Sequence, residues 1–172
     1  GGAGWCRVAC RDGSDRPGGR TRALVRCGRG LLPDERASRV VTSVWMLDGF
    51  TPENGPTRFV PGSHKAGLLP QGVLAVPNAP HPDEMVALGK AGDVVLTNAH
   101  MWYGGTANRT AVPRRSLHGF YVRGDQPQQQ YQKKLLRTET QAGLSPLLRR
   151  VLALDDPRND DISAVGSGMS GF

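Results

Sequence analysis

Between residues 38 and 122 the apolar side chains come in short β-branched and aromatic runs, separated by turns that carry glycine or proline. Such runs suit a pleated surface, where branched side chains pack well, and glycine and proline end them before a helix could lengthen. The run Ser38-Arg39-Val40-Val41-Thr42-Ser43-Val44-Trp45-Met46-Leu47 predicts a strand, apolar enough to be largely buried. Residues 48–57 hold Gly49, Pro52, Asn54 and Gly55 and predict a turn. Arg58-Phe59-Val60 reads as a short strand that stops at Pro61-Gly62, and residues 69–82, with four prolines, as a loop. A short strand is expected over residues 85–88, a turn at Lys90-Ala91-Gly92-Asp93, and the clearest strand of the chain over residues 94–103. Residues 104–113 form a polar loop, residues 116–122 another strand, and residues 126–132 a polar connection. From 138 to 154 the leucines take helical spacing, and Ser145-Pro146 can start the last part of that helix. Short strands followed by helix imply a β-sandwich or barrel with helical flanks.

A chain of 172 residues is one domain by length, and its 38% apolar and 22% charged content suits a soluble globular protein. No apolar run approaches the roughly 18 residues that cross a membrane, and the N-terminus shows no apolar signal region, so a cytoplasmic location is expected. The net charge of +7 is uneven: residues 1–30 carry +5 and the rest only +2. All three cysteines, Cys6, Cys10 and Cys27, lie in that basic stretch, with eight of the 23 glycines. Cys6-x3-Cys10 with a distant Cys27 and no nearby histidine completes no four-ligand zinc site, and an odd count argues against a disulfide framework. With only Trp5 there to stack on a base, a nucleic-acid partner is not expected. The stretch reads as an atypical, disordered segment. Its Gly/Arg/Cys bias also fits a GC-rich gene read in the wrong frame, with a junction near Leu32-Pro33-Asp34-Glu35-Arg36, and the Gly-Gly start fits a fragment.

Two segments carry the chemistry. The first is Ser43-Val44-Trp45-Met46-Leu47-Asp48, followed by Glu53-Asn54-Gly55-Pro56-Thr57-Arg58-Phe59-Val60-Pro61-Gly62-Ser63-His64. The second is Ala91-Gly92-Asp93-Val94-Val95-Leu96, then Trp102-Tyr103-Gly104-Gly105, leading through Asn108-Arg109-Thr110 to Pro113-Arg114-Arg115. Together they resemble the phytanoyl-CoA dioxygenase family of Fe(II)- and 2-oxoglutarate-dependent oxygenases, over about residues 32–160. The resemblance implies a mostly β fold, a double-stranded β-helix (a cupin-like jelly-roll) with a C-terminal helix, truncated on its N-terminal side. The expected division is residues 1–31 as the atypical segment, 32–160 as the jelly-roll and 161–172 as a loose tail.

The resemblance also implies Fe(II) and 2-oxoglutarate as cofactors and a small organic molecule as substrate. Such oxygenases hold iron with two histidines and a carboxylate and leave the opposite positions open. Tyr103 stands where the family's distal histidine is found, and no H-x-D pair precedes the first segment. Tyr103 is therefore the one candidate metal position, and a phenol must lose a proton at a reference pKa of about 10 before it can ligate, which favours Fe(III) over Fe(II). By the same resemblance Arg114, eleven residues beyond Tyr103, binds the far carboxylate of 2-oxoglutarate. A fixed guanidinium fork suits a carboxylate, whereas Arg115 reads as a solvated charge at a strand start.

The histidines offer substitutes of unequal merit. His100 lies three residues before Tyr103, so strict alternation in one strand would turn it outward. His118 shares the face of Arg114 and reads as a hydrogen-bonded core histidine. His64 reads as structural or pocket-lining. His81-Pro82-Asp83 satisfies H-x-D but falls after the Pro61-Gly62-Ser63-His64 turn, whereas the family pair precedes it. Substrate choice would lie in residues 69–82 and 104–113. The expected outcome is a family member with degraded metal ligands and little or no hydroxylase turnover; the alternative is an inactive jelly-roll, a pseudoenzyme or a damaged-gene product, that binds a small carboxylate through Arg114.

Overall fold

Along Val40–Met46 the side chains of Val40, Val44 and Met46 are buried while Val41 and Trp45 are exposed, which is the alternation of a strand with one covered face. In the computed structural model, which describes the backbone of residues 5–8 and residues 38–76, 79–125 and 131–157, this segment follows the short strand β1 (Trp5–Val8) and is named β2. Two compact units divide the chain: residues 10–119, and residues 1–9 with 120–172.

The larger unit contains both layers of a jelly-roll. In the first, β2 pairs antiparallel with β5 (Val94–Asn98), in a register from Val41 opposite Asn98 to Trp45 opposite Val94. Strand β7 (Ser116–Val122) lies on the other side of β2. In the second layer β3 (Thr57–Val60) is central, with β4 (Met85–Val86) on one side and β6 (Trp102–Gly105) on the other, both antiparallel.

Phe50 closes the space between these strands. It is buried with Val44 and Met46 of β2, and Ala87 and Val95 pack against the cluster. Its backbone is fixed by reciprocal hydrogen bonds, its N–H donating to the Gly89 carbonyl at 2.8 Å and the Gly89 N–H to its own carbonyl at 3.2 Å. The approach is close: a Cβ at 89 would lie 2.8 Å from both the Met46 sulfur and Asp93 Oδ2, so one of these side chains would have to shift. The turn into β5 is made by Gly92, at φ 94°, and closed by the Lys90 N–H donating to Asp93 Oδ2 at 2.7 Å.

The second sheet is covered on one face by residues 66–76 and 79–84. Trp102 and Val60 form a buried pair against which Leu69 and Leu74 pack, and Trp102 Nε1–H donates to the Leu68 carbonyl at 3.0 Å. Arg58 shares this face and is almost wholly buried at 1% exposure; its Nη1 donates to Glu84 Oε2 and to the Ala79 carbonyl, both at 2.9 Å. The same Glu84 oxygen accepts from the His81 N–H at 3.2 Å.

Two elements differ from the sequence expectation. Residues 94–103 are not one strand: β5 ends at Asn98 and β6 begins at Trp102, with a turn between. Asn98 makes the break, its Oδ1 accepting from the His100 N–H at 3.0 Å and its carbonyl from the Met101 N–H at 2.9 Å. The helix expected over 138–154 is divided into α2 (Thr138–Ala142) and α3 (Pro146–Val151), preceded by α1 (Gln132–Leu135). Gly143 ends α2, and Ser145 caps α3 by accepting from the Leu148 N–H at 3.3 Å, with Pro146 in the first turn. In the smaller unit α3 lies beside β1. Apart from β1, the segment 1–31 lies outside the described residues, as does the tail 161–172.

Removing one member of a buried ion pair leaves the other charge uncompensated. Glu84→Ala is expected to destabilise the protein by about 3 kcal/mol, read from urea unfolding. Glu84→Gln, which keeps an acceptor for Arg58 Nη1, should lose less.

Candidate cofactor site

Register sets what Tyr103 faces. It lies opposite Phe59, while its neighbour Trp102 lies opposite Val60 and under the 66–84 covering. Successive side chains of a strand point to opposite faces, so Tyr103, Phe59 and Met85, the other partner of Phe59, share the face away from Trp102. The Ala87 N–H donates to the Thr57 carbonyl at 2.8 Å, which continues the same register and puts Ala87 on the face of Met85. Because Ala87 packs with Val44, Met46, Phe50 and Val95, that face is turned toward the β2–β5 layer. Tyr103 therefore projects inward, between the sheets.

Arg114 reaches the same cluster from the chain entering β7. It is 5% exposed, its guanidinium carbon lies 4.0 Å from the centre of the Phe50 ring, and its Nε donates to the Gly55 carbonyl at 3.0 Å. Gly55 stands at φ 77°, in the left-handed region where a side chain would be strained, and this turn aims its carbonyl at the guanidinium. The turn is held on both sides: Asn54 Nδ2 donates to the Gly49 carbonyl at 2.7 Å, and the Arg109 N–H to the Glu53 carbonyl at 2.7 Å. A planar cation stacked on an aromatic face directs its N–H groups outward in the plane of the guanidinium, the geometry that suits a carboxylate or other oxyanion.

Arg115 points the other way and is not a solitary solvated charge. It grips Asp48 with Nε to Oδ2 at 3.0 Å, Nη2 to Oδ1 at 2.8 Å and its backbone N–H to Oδ2 at 2.7 Å. These hydrogen bonds, the side-chain one first, lower the Asp48 pKa to about 2. The pair ties the end of β2 to the start of β7.

The histidines are dispersed. His100 is 2% exposed and its Nε2 accepts from the Arg39 N–H at 3.1 Å, so it is a buried structural histidine and not a surface one. The turn after Asn98 removes the premise of strict alternation to Tyr103. His118 Nε2 is 3.0 Å from Ser116 Oγ. His81 Nδ1 accepts from the Asp83 N–H at 3.1 Å and its ring meets Trp102 edge-on at 6.2 Å. That places His81 on the side of β6 opposite Tyr103. His64 sits in the 3-10 turn Ser63–Lys65, with its Nδ1 buried. Among the described residues no group of three His, Cys, Asp or Glu side chains could hold a metal ion. Phe50 was not singled out from the sequence, and Gly55 was read only as part of a turn and of the first segment; their role in positioning Arg114 was not foreseen.

Two stacked antiparallel sheets with an inward residue in the first half of β6 and a buried arginine before β7 define a jelly-roll of the kind that houses non-haem oxygenases. The match of the phytanoyl-CoA dioxygenase family over residues 27–116 shows that the chain belongs to that family, whose members depend on Fe(II) and 2-oxoglutarate. It is 32% identical over 117 residues to the dioxygenase af480 of Aspergillus fumigatus, covering 66% of this chain and 36% of that protein. It is 34% identical over 96 residues to the dioxygenase easH of Epichloe festucae var. lolii, covering 55% and 46%. The chain thus spans less than half the length of these relatives. In fold it is similar to the apo form of the non-heme monooxygenase ThoJ, with a TM-score of 0.53 at 19% identity, over 70% of this chain and 46% of that one. No helix among the described residues is long and apolar enough to cross a membrane.

The depressed Asp48 pKa fixes the sign of a pH effect. The ion pair's contribution to stability is present above the ordinary carboxylate value of 3.8 and is lost as pH falls through about 2. Arg115 is 61% exposed, so the effect is small and screened by salt. Urea unfolding of wild type and Asp48→Asn should differ at pH 7 by an amount that vanishes toward pH 2 and shrinks in 1 M salt.

Proposed function

We propose that this chain is a phytanoyl-CoA dioxygenase-family jelly-roll that binds a small dicarboxylate of the 2-oxoglutarate type through Arg114 and supports little or no hydroxylation by itself. The observation that carries the reading is the setting of Arg114: a buried guanidinium fixed by the Gly55 carbonyl on one side and laid over the Phe50 ring. A guanidinium held this way meets a carboxylate without first losing side-chain freedom, which is where much of the cost of binding lies. Its organic substrate is a small molecule, and its compartment in this reading is the cytoplasm, as the sequence implies.

Iron fits the described donor set poorly. A catalytic site of this kind takes two histidines and a carboxylate. Here Tyr103 takes the distal position, and the described histidines are separately engaged or set apart. His81-Pro82-Asp83 lies beside Trp102, on the wrong face of β6 to join Tyr103. The chain's own contribution is therefore to bind and orient a carboxylate.

Calorimetry should detect 2-oxoglutarate binding that falls at least about tenfold in Arg114→Gln, the loss expected for a charge-assisted hydrogen-bonded pair. Arg114→Lys, which keeps the charge without the fork, should not restore it. Unchanged affinity in both would overturn the assignment. Anaerobic titration with Fe(II) and 2-oxoglutarate should give no saturable visible charge-transfer band; a saturable band would overturn the low-turnover reading.

A further inference from the structure

The strand β5 ends its sheet, and its run Val94-Val95-Leu96-Thr97-Asn98 holds no charge and no proline, the residues that ordinarily blunt an edge. Its ladder with β2 shows where the backbone groups go. The Met46 N–H donates to the Asp93 carbonyl at 2.9 Å and the Ala99 N–H to the Val40 carbonyl at 3.1 Å. Bonded and non-bonded pairs alternate along an antiparallel ladder, so Val44–Val95 and Thr42–Thr97 are bonded while Trp45–Val94 and Ser43–Leu96 are not. The N–H and C=O of Val94 and Leu96 therefore point away from β2, toward the open edge. They meet no hydrogen-bond partner among the described residues.

One face of β5 is covered, because Val95 packs against the Phe50 cluster, and this fixes the strand in place. On the other face Leu96 is 71% exposed, beside Val94 and Trp45. Exposure names no partner, but the backbone does: its open donors and acceptors form a pattern that is its own complement. In a two-fold antiparallel pairing centred on Val95, Val94 of one protomer meets the partner's Leu96, and Leu96 meets the partner's Val94. Every open group is then bonded. A pairing centred on Val94 would set Leu96 against Gly92, whose N–H already donates to the Met46 carbonyl. One centred on Leu96 would set Val94 against Asn98, whose carbonyl already accepts from the Met101 N–H. The register centred on Val95 also puts an aliphatic side chain opposite an aliphatic one, and Asp93 opposite the partner's Thr97, so no like charges meet.

We propose that β5 pairs edge to edge with β5 of a second copy of this chain, in a two-fold register centred on Val95, so that two β2–β5 layers join into one sheet. The contact is isologous and therefore closes on itself as a dimer. It uses neither Arg114 nor Tyr103 and is independent of the carboxylate reading. An interface one strand wide belongs to the weak, concentration-dependent class.

Sedimentation velocity of the full chain, over a concentration series up to about 1 mM, should show a reversible monomer–dimer equilibrium. Leu96→Pro deletes an open-edge N–H that takes no part in the β2 ladder, and should weaken the dimer at least about tenfold with little change in the urea midpoint. Should proline disturb the fold, Leu96→Lys sets a charge at the same exposed edge position and should weaken the dimer likewise. Val95→Cys tests the register. The two copies of residue 95 would form a non-hydrogen-bonded pair with Cα atoms about 4.5 Å apart, within reach of a disulfide. Mild oxidation should join the copies there, with peptide mass spectrometry separating this bond from any made by Cys6, Cys10 or Cys27. Thr97→Cys, which faces the partner's Asp93, should not cross-link. A monomer at every concentration, a dimer as tight in Leu96→Lys as in wild type, or equal cross-linking at 95 and 97 would overturn the pairing. A dimer that survives Leu96→Pro but is lost in Trp45→Ser would mean stacked faces and would overturn it too.

Discussion

Burial of the Phe50 ring holds this jelly-roll together at its centre. One ring joins Val44 and Met46 of β2, Val95 of β5 and Ala87 beyond β4, so both layers share it. Its backbone is hydrogen-bonded both ways to Gly89, where the chain passes close beside the side chains of Met46 and Asp93. Arg114 then uses the ring's face as a platform. Phe50 therefore serves the core with its edges and Arg114 with its face, and truncating it would open the core and unseat the guanidinium together.

Much of the architecture was legible because β strands announce themselves through branched side chains and breakers. The runs expected at 38–47, 58–60, 85–88 and 116–122 correspond to β2, β3, β4 and β7, with bounds shifted by one or two residues. What escaped was the turn after Asn98, which contains neither glycine nor proline and is made by the Asn98 side chain taking a backbone role. The helical region failed for a related reason. Leucine spacing ran on from 138 to 154, yet Gly143 and the Ser145 cap divide it. Local hydrogen bonding, which period counting does not see, decided both cases.

The surroundings of Arg114 were not legible in the sequence. Sequence distinguished Arg114 from Arg115, and the two do part company: one lies buried over Phe50, the other holds Asp48 at the surface. The alternation of β6 turns Tyr103 toward the other sheet. No sequence pattern, however, revealed that Phe50 and the Gly55 carbonyl would cradle the guanidinium, since both come from a turn that folds back from 59 and 64 residues earlier in the chain. Of the surface and inter-sheet positions open to His100, burial excludes the surface one, and its ring accepts from the Arg39 N–H.

Arg58 anchors residues 79–84 to the outer side of the second sheet through the Ala79 carbonyl and Glu84. The inner side of the same three strands carries Tyr103, Phe59 and Met85. A loop clipped at its base by one guanidinium can change length at its tip while the strands beneath it keep their register. The outer loop and the inner row are thus free to drift independently in evolution, and a graft of the one need not disturb the other.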